Sequence, residues 1–295
     1  MPGPVSSAVA RILLEKLRLP ADEVEQRFAQ ACSPDYWRQL NPQLHVCLDS
    51  GKGDIEARTV GADERRRLLD QLKTARYFAI PNPVIAPAVA AAMLQAIDTL
   101  KRAGWHEVFG FVYDEFWQVT RTPSIIQFLT GALGETCHAM PHVVVHYVEP
   151  GVGAGWRPHV DFSDRGDRLT VWVAVSDATI DNGCMYVLPH DRVPADLRAK
   201  WTAGEALTRD EVKVLLHATR ALPVPAGGIL GWEGDVLHWG TGSSPGAPPR
   251  VSLSVVYLRE GIEPMADELP LLDPQVAPGF APRLLSIGKA IRYYD

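Results

Sequence analysis

The sequence predicts a mostly β fold with helical support, in the α+β class. From residue 141 onward, short runs rich in Val, Trp, Tyr and Thr alternate with clusters of Gly, Pro, Asp and Asn, a pattern typical of antiparallel strands and turns. The first 135 residues instead place apolar residues at helical spacing. Helices followed by many short strands predict one β-sandwich or barrel braced by helices.

The composition supports a folded chain without extreme character. Of its 295 residues, 46% are hydrophobic and 22% are charged, which excludes a disordered chain or a coiled coil. No linker-like stretch separates the two halves, so we expect a single domain over residues 1–295. Its parts would be a helical support (1–135), a β core (141–259) with a helical insert near 195–220, and a C-terminal tail (260–295). Apolar residues at helical spacing in 281–294 predict a docked helix in that tail.

Charge and cysteine content exclude several classes of partner. The 29 basic and 35 acidic residues give a net charge of −6, so the chain lacks the basic field that nucleic acid or anionic lipid requires. The four cysteines lie far apart and form no CxxC pair, which favours free thiols in a reducing compartment. The longest apolar stretch, 84–94, is too short to span a membrane. We therefore expect a cytoplasmic protein.

Taken in order, the helices of the first half begin at capping residues or apolar stripes and end at helix breakers. Ser6 or Ser7 caps the first, which ends at Pro20, and Gly134 ends the last. The expected helices cover residues 6–20, 62–76, 86–103 and 122–133. In the insert, Thr208 and Glu211 match the capping box that precedes a further helix.

The strands of the second half follow from β-branched and aromatic runs bounded by turn residues. We expect them at residues 142–148, 156–162, 169–175, 184–188, 228–230, 236–239 and 251–258.

A candidate metal site begins with His159 and Asp161. On a strand, residues i and i+2 point to the same face, so this imidazole and carboxylate would project together. They are two members of the 2-His-1-carboxylate set that holds Fe(II) with open positions. A third ligand must come from a distant strand, and His238 is the best candidate.

A candidate anion site lies on the last strand. There Arg250, Ser252 and Ser254 share one face, while the residues between them are apolar. An arginine directed into a barrel requires an anion, and its planar fork suits a carboxylate. On the 169–175 strand, Thr170 and Trp172 share a mixed face that predicts a pocket wall rather than packing.

The ordered set of these motifs resembles the phytanoyl-CoA dioxygenase-like family. The set comprises the HxD pair, the run Asn-Gly-Cys-Met-Tyr-Val-Leu-Pro-His at 182–190, the distal histidine, and an arginine about a dozen residues later. The resemblance covers residues 141–259. It implies a double-stranded β-helix (a jelly roll, cupin-like) and a non-haem Fe(II)- and 2-oxoglutarate-dependent oxygenase.

The resemblance also implies roles for individual residues. His159, Asp161 and His238 would hold the iron, Arg250 would bind the far carboxylate of 2-oxoglutarate, and Trp172 would line the cosubstrate pocket with Thr170. Members of the family often carry a hydroxyl residue two positions after the distal histidine. Here that position is Gly240, so either Thr241 or Ser252 would supply the hydroxyl.

The implied reaction uses 2-oxoglutarate and O₂ to hydroxylate an unactivated C–H of a small metabolite, an amino acid or a specialised-metabolite intermediate, with release of succinate and CO₂. Desaturation or cyclisation would use the same ligands. Halogenation is disfavoured because Asp161 is present. Two other readings stay open: a cupin-like metalloenzyme that does not use 2-oxoglutarate, and a non-catalytic binding module for a metal or small molecule.

The substrate is the least determined part of the prediction. The aromatic and basic residues near the expected mouth of the barrel favour an amphipathic small molecule with an anionic group; they are Tyr147, Trp156, Arg157, Phe162 and Trp239. There is no basic cluster suited to a CoA phosphate. The sequence does not determine the oligomeric state.

Overall fold

The computed structural model describes residue 9 and residues 19–47, 55–151, 155–162 and 167–291. The predicted first helix therefore lies almost wholly outside the described residues, although Val9 is helical and buried. Parts of the glycine-rich turn at 149–155 and of the polar loop at 163–168 also lie outside them.

Six helices are described before the first long strand. They are α1 (Ala21–Ala31), α2 (Pro34–Leu40), α3 (Ala62–Ala75), α4 (Pro87–Arg102), α5 (Asp114–Gln118) and α6 (Pro123–Leu133). The predictions for α3, α4 and α6 are confirmed to within about a residue at each end, whereas α1, α2 and α5 were not predicted. Helix α6 begins as expected, because the Thr122 hydroxyl accepts a hydrogen bond from the backbone N–H of Ile125.

Three further helices belong to the second half. They are α7 (Ala195–Thr202), α8 (Arg209–Ala218) and α9 (Phe280–Ile291). The predicted capping box is present: the N–H of Glu211 donates to Thr208 Oγ1 at 3.3 Å, and the N–H of Thr208 donates to Glu211 Oε2 at 2.7 Å. Helix α9 is the docked helix that the tail predicts, with Ile287 fully buried. None of the described helices has the length and apolar character needed to cross a bilayer.

The strands form two antiparallel sheets. They are β1 (Tyr77–Ile80), β2 (His138–Val148), β3 (Trp156–His159), β4 (Arg168–Ala174), β5 (Met185–Val187), β6 (Arg220–Leu222), β7 (Ile229–Glu233), β8 (His238–Gly240) and β9 (Arg250–Leu258). One sheet has five strands in the order β1-β7-β4-β9-β2, and the other has four in the order β3-β8-β5-β6. The fold is thus a mixture of helices and antiparallel sheets, as the sequence predicts.

The differences from the predicted strands have local causes. Strand β1 lies in the half predicted to be helical, and its four residues are too few to show an alternating pattern. It is an edge strand, paired with β7. The three residues of β6 are likewise too short to be recognised. Strand β3 ends at His159 rather than at residue 162, so Asp161 lies in the bend just beyond the strand.

The main core lies on one face of the five-stranded sheet. Along β9, Val251, Leu253, Val255 and Tyr257 are fully buried and pack in a cluster with residues of the helices. Residues of β2 and β4 join the same cluster from the neighbouring strands. Because side chains alternate along a strand, the residues between these point to the opposite face, toward the four-stranded sheet. That opposite face forms the candidate site.

Candidate metal centre and cavity

Three side chains predicted to bind metal lie together. Among the described residues, His159, Asp161 and His238 form a cluster in which one ligand atom of each lies within 4.8 Å of the others. Asp161 Oδ1 is 3.6 Å from the Nε2 atom of each histidine. Two imidazoles and one carboxylate around one point are the ligand set expected for a divalent transition metal with open coordination positions.

Strand pairing explains how residues far apart in sequence reach this point. Strands β3 and β8 are antiparallel neighbours, and His159 is the cross-strand partner of His238. Their rings lie 4.3 Å apart between centroids. The register between the two strands shifts between Trp156 and His159. The chain then bends after β3, and this bend brings Asp161 to the two histidines.

Both imidazoles are oriented by backbone carbonyls. His159 Nδ1 lies 2.9 Å from the carbonyl oxygen of Arg157, and His238 Nδ1 lies 2.9 Å from that of Val236. Because a carbonyl only accepts, Nδ1 carries the proton in each ring, and Nε2 keeps its lone pair facing Asp161. Second contacts of this kind fix the tautomer of metal-binding histidines.

The two oxygens of the Asp161 carboxylate face different neighbours. Its Oδ2 accepts hydrogen bonds from Thr170 Oγ1 at 2.8 Å and from Trp232 Nε1 at 3.0 Å, which leaves Oδ1 directed to the histidines. Burial alone would raise the pKa of Asp161, but His238, His159 and these two donors outweigh it and hold the pKa well below its ordinary value. Burial lowers the pKa of His238. The site is therefore ready to bind a cation, with an ionised carboxylate and a neutral His238.

The cluster opens into a cavity of about 300 Å³ between the two sheets. The walls combine the inner face of the five-stranded sheet with residues around β3 and β8. The lining residues are His142, Val144, His146, Trp156, His159, Val160, Asp161, Phe162, Thr170, Trp172, Met185, Trp232, His238, Arg250, Ser254, Val256 and Asp267.

Arg250 is buried in the wall of this cavity, with 2% of its surface exposed. Its Nη1 donates to Ser252 Oγ at 2.8 Å, whereas its Nε has no hydrogen-bond partner. Burial lowers the pKa of Arg250 to about 10. The indole Nε1 of Trp172 is also buried without a partner, and the centroid of its ring lies 5.8 Å from Arg250 Cζ. Two buried donors in one cavity wall thus lack acceptors.

The structure distinguishes the two hydroxyl candidates. Ser252 is fully buried and accepts a hydrogen bond from Arg250, whereas Thr241 is only partly buried. The backbone of Thr241 passes between Gly155 and Gly183, where a Cβ would stand within about 2.5 Å of its carbonyl group. Both glycines also have positive φ, so neither position accommodates a side chain. Ser252 is therefore the hydroxyl beside the guanidinium.

Strand register gives the cavity two distinct ends. On β9 the inward residues follow each other about 6.6 Å apart along the strand. Ser252 pairs with His146 of β2, Ser254 with Trp172 of β4, and Val256 with Thr170. Since Thr170 donates a hydrogen bond to the Asp161 carboxylate, Asp161 is held near the Val256 level, whereas the Cα of Arg250 lies at the opposite end of the strand. The metal cluster is therefore anchored toward the Val256 end of the cavity, and Arg250 enters the cavity from the other end of β9.

The structure brings two of the five predicted substrate residues to the cavity. Trp156, 44% exposed, and Phe162 line it. Tyr147 lies on the opposite face of β2, where Lys101 Nζ stands 3.5 Å from its ring centroid, because residue 147 alternates with the inward His146. Trp239 alternates with His238 in the same way and stacks on Tyr186.

Arg157 is the third predicted substrate residue that the structure places elsewhere. Its side chain is exposed and is absent from the cavity lining, although its carbonyl orients His159. The basic group that favoured an anionic substrate is thus directed to solvent rather than into the cavity.

Sequence reasoning missed several cavity residues. His142, Val144 and His146 alternate along the predicted 142–148 strand, and this spacing could have identified them. Burial, followed by the nearby charge of Arg250, lowers the pKa of His146 to about 3, so its imidazole is neutral. Trp232 and Asp267 carried no comparable signal, because their positions depend on strand pairing and on a loop.

Known relatives resemble parts of this chain. A phytanoyl-CoA dioxygenase domain-containing protein 1 from Mus musculus is 25% identical over 134 residues, which are 42% of this chain and 46% of the relative. A phytanoyl-CoA dioxygenase from Arabidopsis thaliana is 22% identical over 116 residues, 37% of this chain and 41% of the relative. The matched stretches thus span less than half the length of these relatives.

Solved structures share the fold. The epimerase SnoN from nogalamycin biosynthesis, solved with Fe³⁺, alpha ketoglutarate and nogalamycin RO, superposes with a TM-score of 0.54 at 18% identity over 71% of this chain and 91% of the other. A non-haem monooxygenase, ThoJ, solved with nickel, gives a TM-score of 0.51 at 16% identity over 68% of this chain and 80% of the other. At sequence identities this low, the similarity shows a shared fold and no more.

The family itself follows from a match to its sequence model. Residues 51–250 match the phytanoyl-CoA dioxygenase (PhyH) model, a span that includes the metal cluster and ends at Arg250. This stretch is about two thirds of the chain, and it confirms the predicted family and, with it, the expectation of an iron- and 2-oxoglutarate-dependent group of oxidoreductases. The chain belongs to the phytanoyl-CoA dioxygenase family.

Proposed function

We propose that the chain is a non-haem Fe(II)- and 2-oxoglutarate-dependent oxygenase that acts on a small molecule. The observation that supports this most strongly is the pair of buried donors without acceptors, Arg250 Nε and Trp172 Nε1, in the wall of the cavity that also holds the metal cluster. Buried donors without hydrogen-bond partners cost free energy unless a bound ligand accepts their hydrogen bonds. A carboxylate of 2-oxoglutarate would supply the acceptors.

The residues present fit both cofactors. His159, Asp161 and His238 would hold the iron, since they offer two nitrogen ligands and one carboxylate oxygen at one point. Arg250 and Ser252 would bind the distal carboxylate of the keto acid, and Trp172 and Thr170 would form the wall beside it. This assignment leaves Thr241 without a role in cosubstrate binding.

When bound, Fe(II) with 2-oxoglutarate and O₂ supplies an oxidant that removes hydrogen from a substrate C–H, with release of succinate and CO₂. The chain contributes orientation and charge. Thr170 and Trp232 hold Asp161 as an ionised ligand directed by one oxygen, and the two backbone carbonyls keep the histidine Nε2 atoms free. Burial of Arg250 strengthens its attraction for a carboxylate by excluding water.

The finer proposal is hydroxylation on a double-stranded β-helix, the jelly roll of two facing sheets. Two observations support the fold assignment: the sheets are antiparallel and the cavity lies between them. The reaction outcome depends on where the substrate C–H lies, and the similar solved structures include an epimerase, a carbocyclase and a monooxygenase. Hydroxylation is the proposed outcome, to be tested by mass analysis of the product.

The first test is an anaerobic titration of the metal-free protein with Fe(II) and then with 2-oxoglutarate. We expect a visible charge-transfer band that requires both additions, because a keto acid chelated to Fe(II) absorbs there. The band should be absent in His238→Ala, which removes a metal ligand. A matched control is His217→Ala, an exposed histidine at the end of α8 that should leave the band unchanged.

Tight binding of Fe(II) without a band on addition of 2-oxoglutarate would contradict the proposal. That result would favour a metalloenzyme that does not use the keto acid. Failure to bind any divalent metal would contradict the metal assignment as well, and would leave a binding module for a small molecule.

A further inference from the structure

The Val256 end of the cavity, where Thr170 holds Asp161, differs in character from the Arg250 end. We call it the distal end and define it by His142, Val144, Phe162, Val256 and Asp267, all of which line the cavity. Valine and phenylalanine side chains make most of this surface apolar. Val256 is six residues along β9 from Arg250, about 20 Å between the two Cα atoms at the rise of a strand.

The charges around this end are unequal. Among the described residues that line the cavity, Arg250 is the one with a cationic guanidinium, and none is a lysine. The guanidinium lies at the opposite end, beside Ser252. Burial lowers the pKa of His142, so its imidazole is neutral near pH 7. Asp267 adds a carboxylate that is exposed and has no ion-pair or hydrogen-bond partner among the described side chains. The lining of the distal end is therefore apolar with one carboxylate, and the nearby Lys289 ammonium, which also lowers the pKa of His142, is held by backbone carbonyls outside the lining.

Asp267 is held in place by its neighbours. We call residues 265–269 the strap. Its Glu268 is fully buried and pairs with Arg168, whose Nη2 lies 2.5 Å from Glu268 Oε1. Glu268 Oε2 also accepts from the backbone N–H of Met265 at 2.7 Å. From the other side, Lys289 Nζ donates to the carbonyl oxygens of Asp267 and Leu269 at 2.7 and 2.6 Å.

These bonds fix the backbone on both sides of residue 267 without using its side chain. Lys289 is engaged with carbonyl groups and does not line the cavity. Arg168 is fully buried against Glu268 and Phe162, with its Cζ 5.0 Å from the phenyl centroid. Arg168 thus stabilises the buried carboxylate of the strap and Lys289 stabilises its backbone, while the side chain of Asp267 lines the cavity.

We propose that the substrate carries a protonated amine on an apolar body, and that Asp267 receives this amine. The inference rests on the proposed function, because it takes the metal cluster as the reacting centre of the cavity. A carboxylate and an ammonium group form a charge-assisted hydrogen bond, while an anionic group at the same place is repelled. The apolar distal walls would contact the body between the amine and the reacting carbon.

The test uses three probes that share one body and differ in the terminal group: 4-phenylbutylamine, 4-phenylbutan-1-ol and 4-phenylbutanoate. Binding is measured by calorimetry to the anaerobic protein loaded with Fe(II) and 2-oxoglutarate, and by the shift of its charge-transfer band. A charge-assisted hydrogen bond predicts that the amine binds about tenfold to hundredfold more tightly than the carboxylate. The alcohol should lie between them.

Substitutions assign the preference to one side chain. Asp267→Asn should remove the difference between amine and carboxylate, and Asp267→Lys should reverse it. The matched control is Glu263→Lys, which makes the same charge change at an exposed residue of the same segment that does not line the cavity. That control should keep the wild-type preference, which separates a local contact from a general change in net charge.

Three results would overturn the inference: equal or tighter binding of the carboxylate, a preference that survives Asp267→Asn and Asp267→Lys, or no binding of the amine at millimolar concentration. Each differs from failure of the proposed function. That failure would be seen beforehand, as the absence of the charge-transfer band from the protein loaded with Fe(II) and 2-oxoglutarate.

Discussion

The two faces of the five-stranded sheet are built from the same strands and follow opposite rules. On β9, Val251, Leu253 and Val255 face the helices and are fully buried in a continuous apolar core. The alternate residues, Arg250, Ser252 and Ser254, are also buried, yet they are polar: Arg250 and Ser254 line the cavity, and Ser252 accepts a hydrogen bond from Arg250. Residues on both faces are thus buried, and the faces differ in polarity. The apolar face packs in the core, and the polar face lies on the side of the candidate site.

This difference separates stability from binding along a single strand. A side chain on the helical face contributes through apolar contacts that are formed in the folded protein whether or not a ligand is present. A polar side chain on the cavity face costs free energy when it is desolvated, and a ligand restores the lost interactions. Substitutions on the two faces should therefore affect different measurements.

The largest effect should come from the helical face. Leu253→Ala removes a fully buried side chain from the main core. We expect the free energy of unfolding to fall by about 2–5 kcal/mol, because lost transfer free energy adds to the cost of a cavity. Denaturant unfolding monitored by circular dichroism measures this. At a temperature where the variant is folded, the affinity for 2-oxoglutarate should match the wild type, and a parallel loss of affinity would contradict the separation of the two faces.

The next effect should come from the same strand on the cavity face. Arg250→Ala should weaken binding of 2-oxoglutarate by about hundredfold, because a charge-assisted contact of about 1.5–3 kcal/mol is lost. Binding of Fe(II) should be retained, since Arg250 is not among the clustered metal-ligating groups. Calorimetric titrations of metal and keto acid check both statements.

Arg259→Ala is the matched control for this comparison. Arg259 lies just past β9 and donates to the carbonyl of Ala132, away from the cavity. It should leave the keto-acid affinity unchanged. Unchanged affinity in Arg250→Ala itself would remove the guanidinium from the carboxylate site.

The smallest effect should distinguish the two hydroxyl groups. Ser252→Ala removes the oxygen that accepts from Arg250 Nη1, and we expect the 2-oxoglutarate affinity to fall by about fivefold to tenfold, near 1 kcal/mol. Thr241→Ala should change it by less than twofold, or about 0.4 kcal/mol, because the hydroxyl bonded to Arg250 is that of Ser252. Paired titrations of the two variants decide the matter. A larger loss in Thr241→Ala would reverse the assignment.

The sequence predicted the metal cluster because two ligands are two residues apart and the third stands in a recognisable order of motifs. It also predicted the polar alternation of β9, since a period of two residues is visible without a structure. The strap could not be predicted, because Asp267 reaches the cavity through a loop contact between Arg168 and Glu268, one hundred positions apart. Tyr147 and Trp239 were misplaced because each neighbours an inward histidine, and a shift of one residue changes the face.

The position of the strap bears on how the ligand preference of the cavity can change through substitutions. It belongs to the segment between β9 and α9, outside both sheets. The Arg168–Glu268 pair joins the strap to the five-stranded sheet, and an isolated bridge between Ala139 and Leu272 joins the same segment to that sheet. The residues of such a segment can be replaced if the Arg168–Glu268 pair and the Ala139–Leu272 bridge are kept. Evolution and protein engineering could thus alter the ligand preference proposed for the cavity by replacing a short stretch near the carboxyl end, without altering the strands that carry the candidate metal ligands.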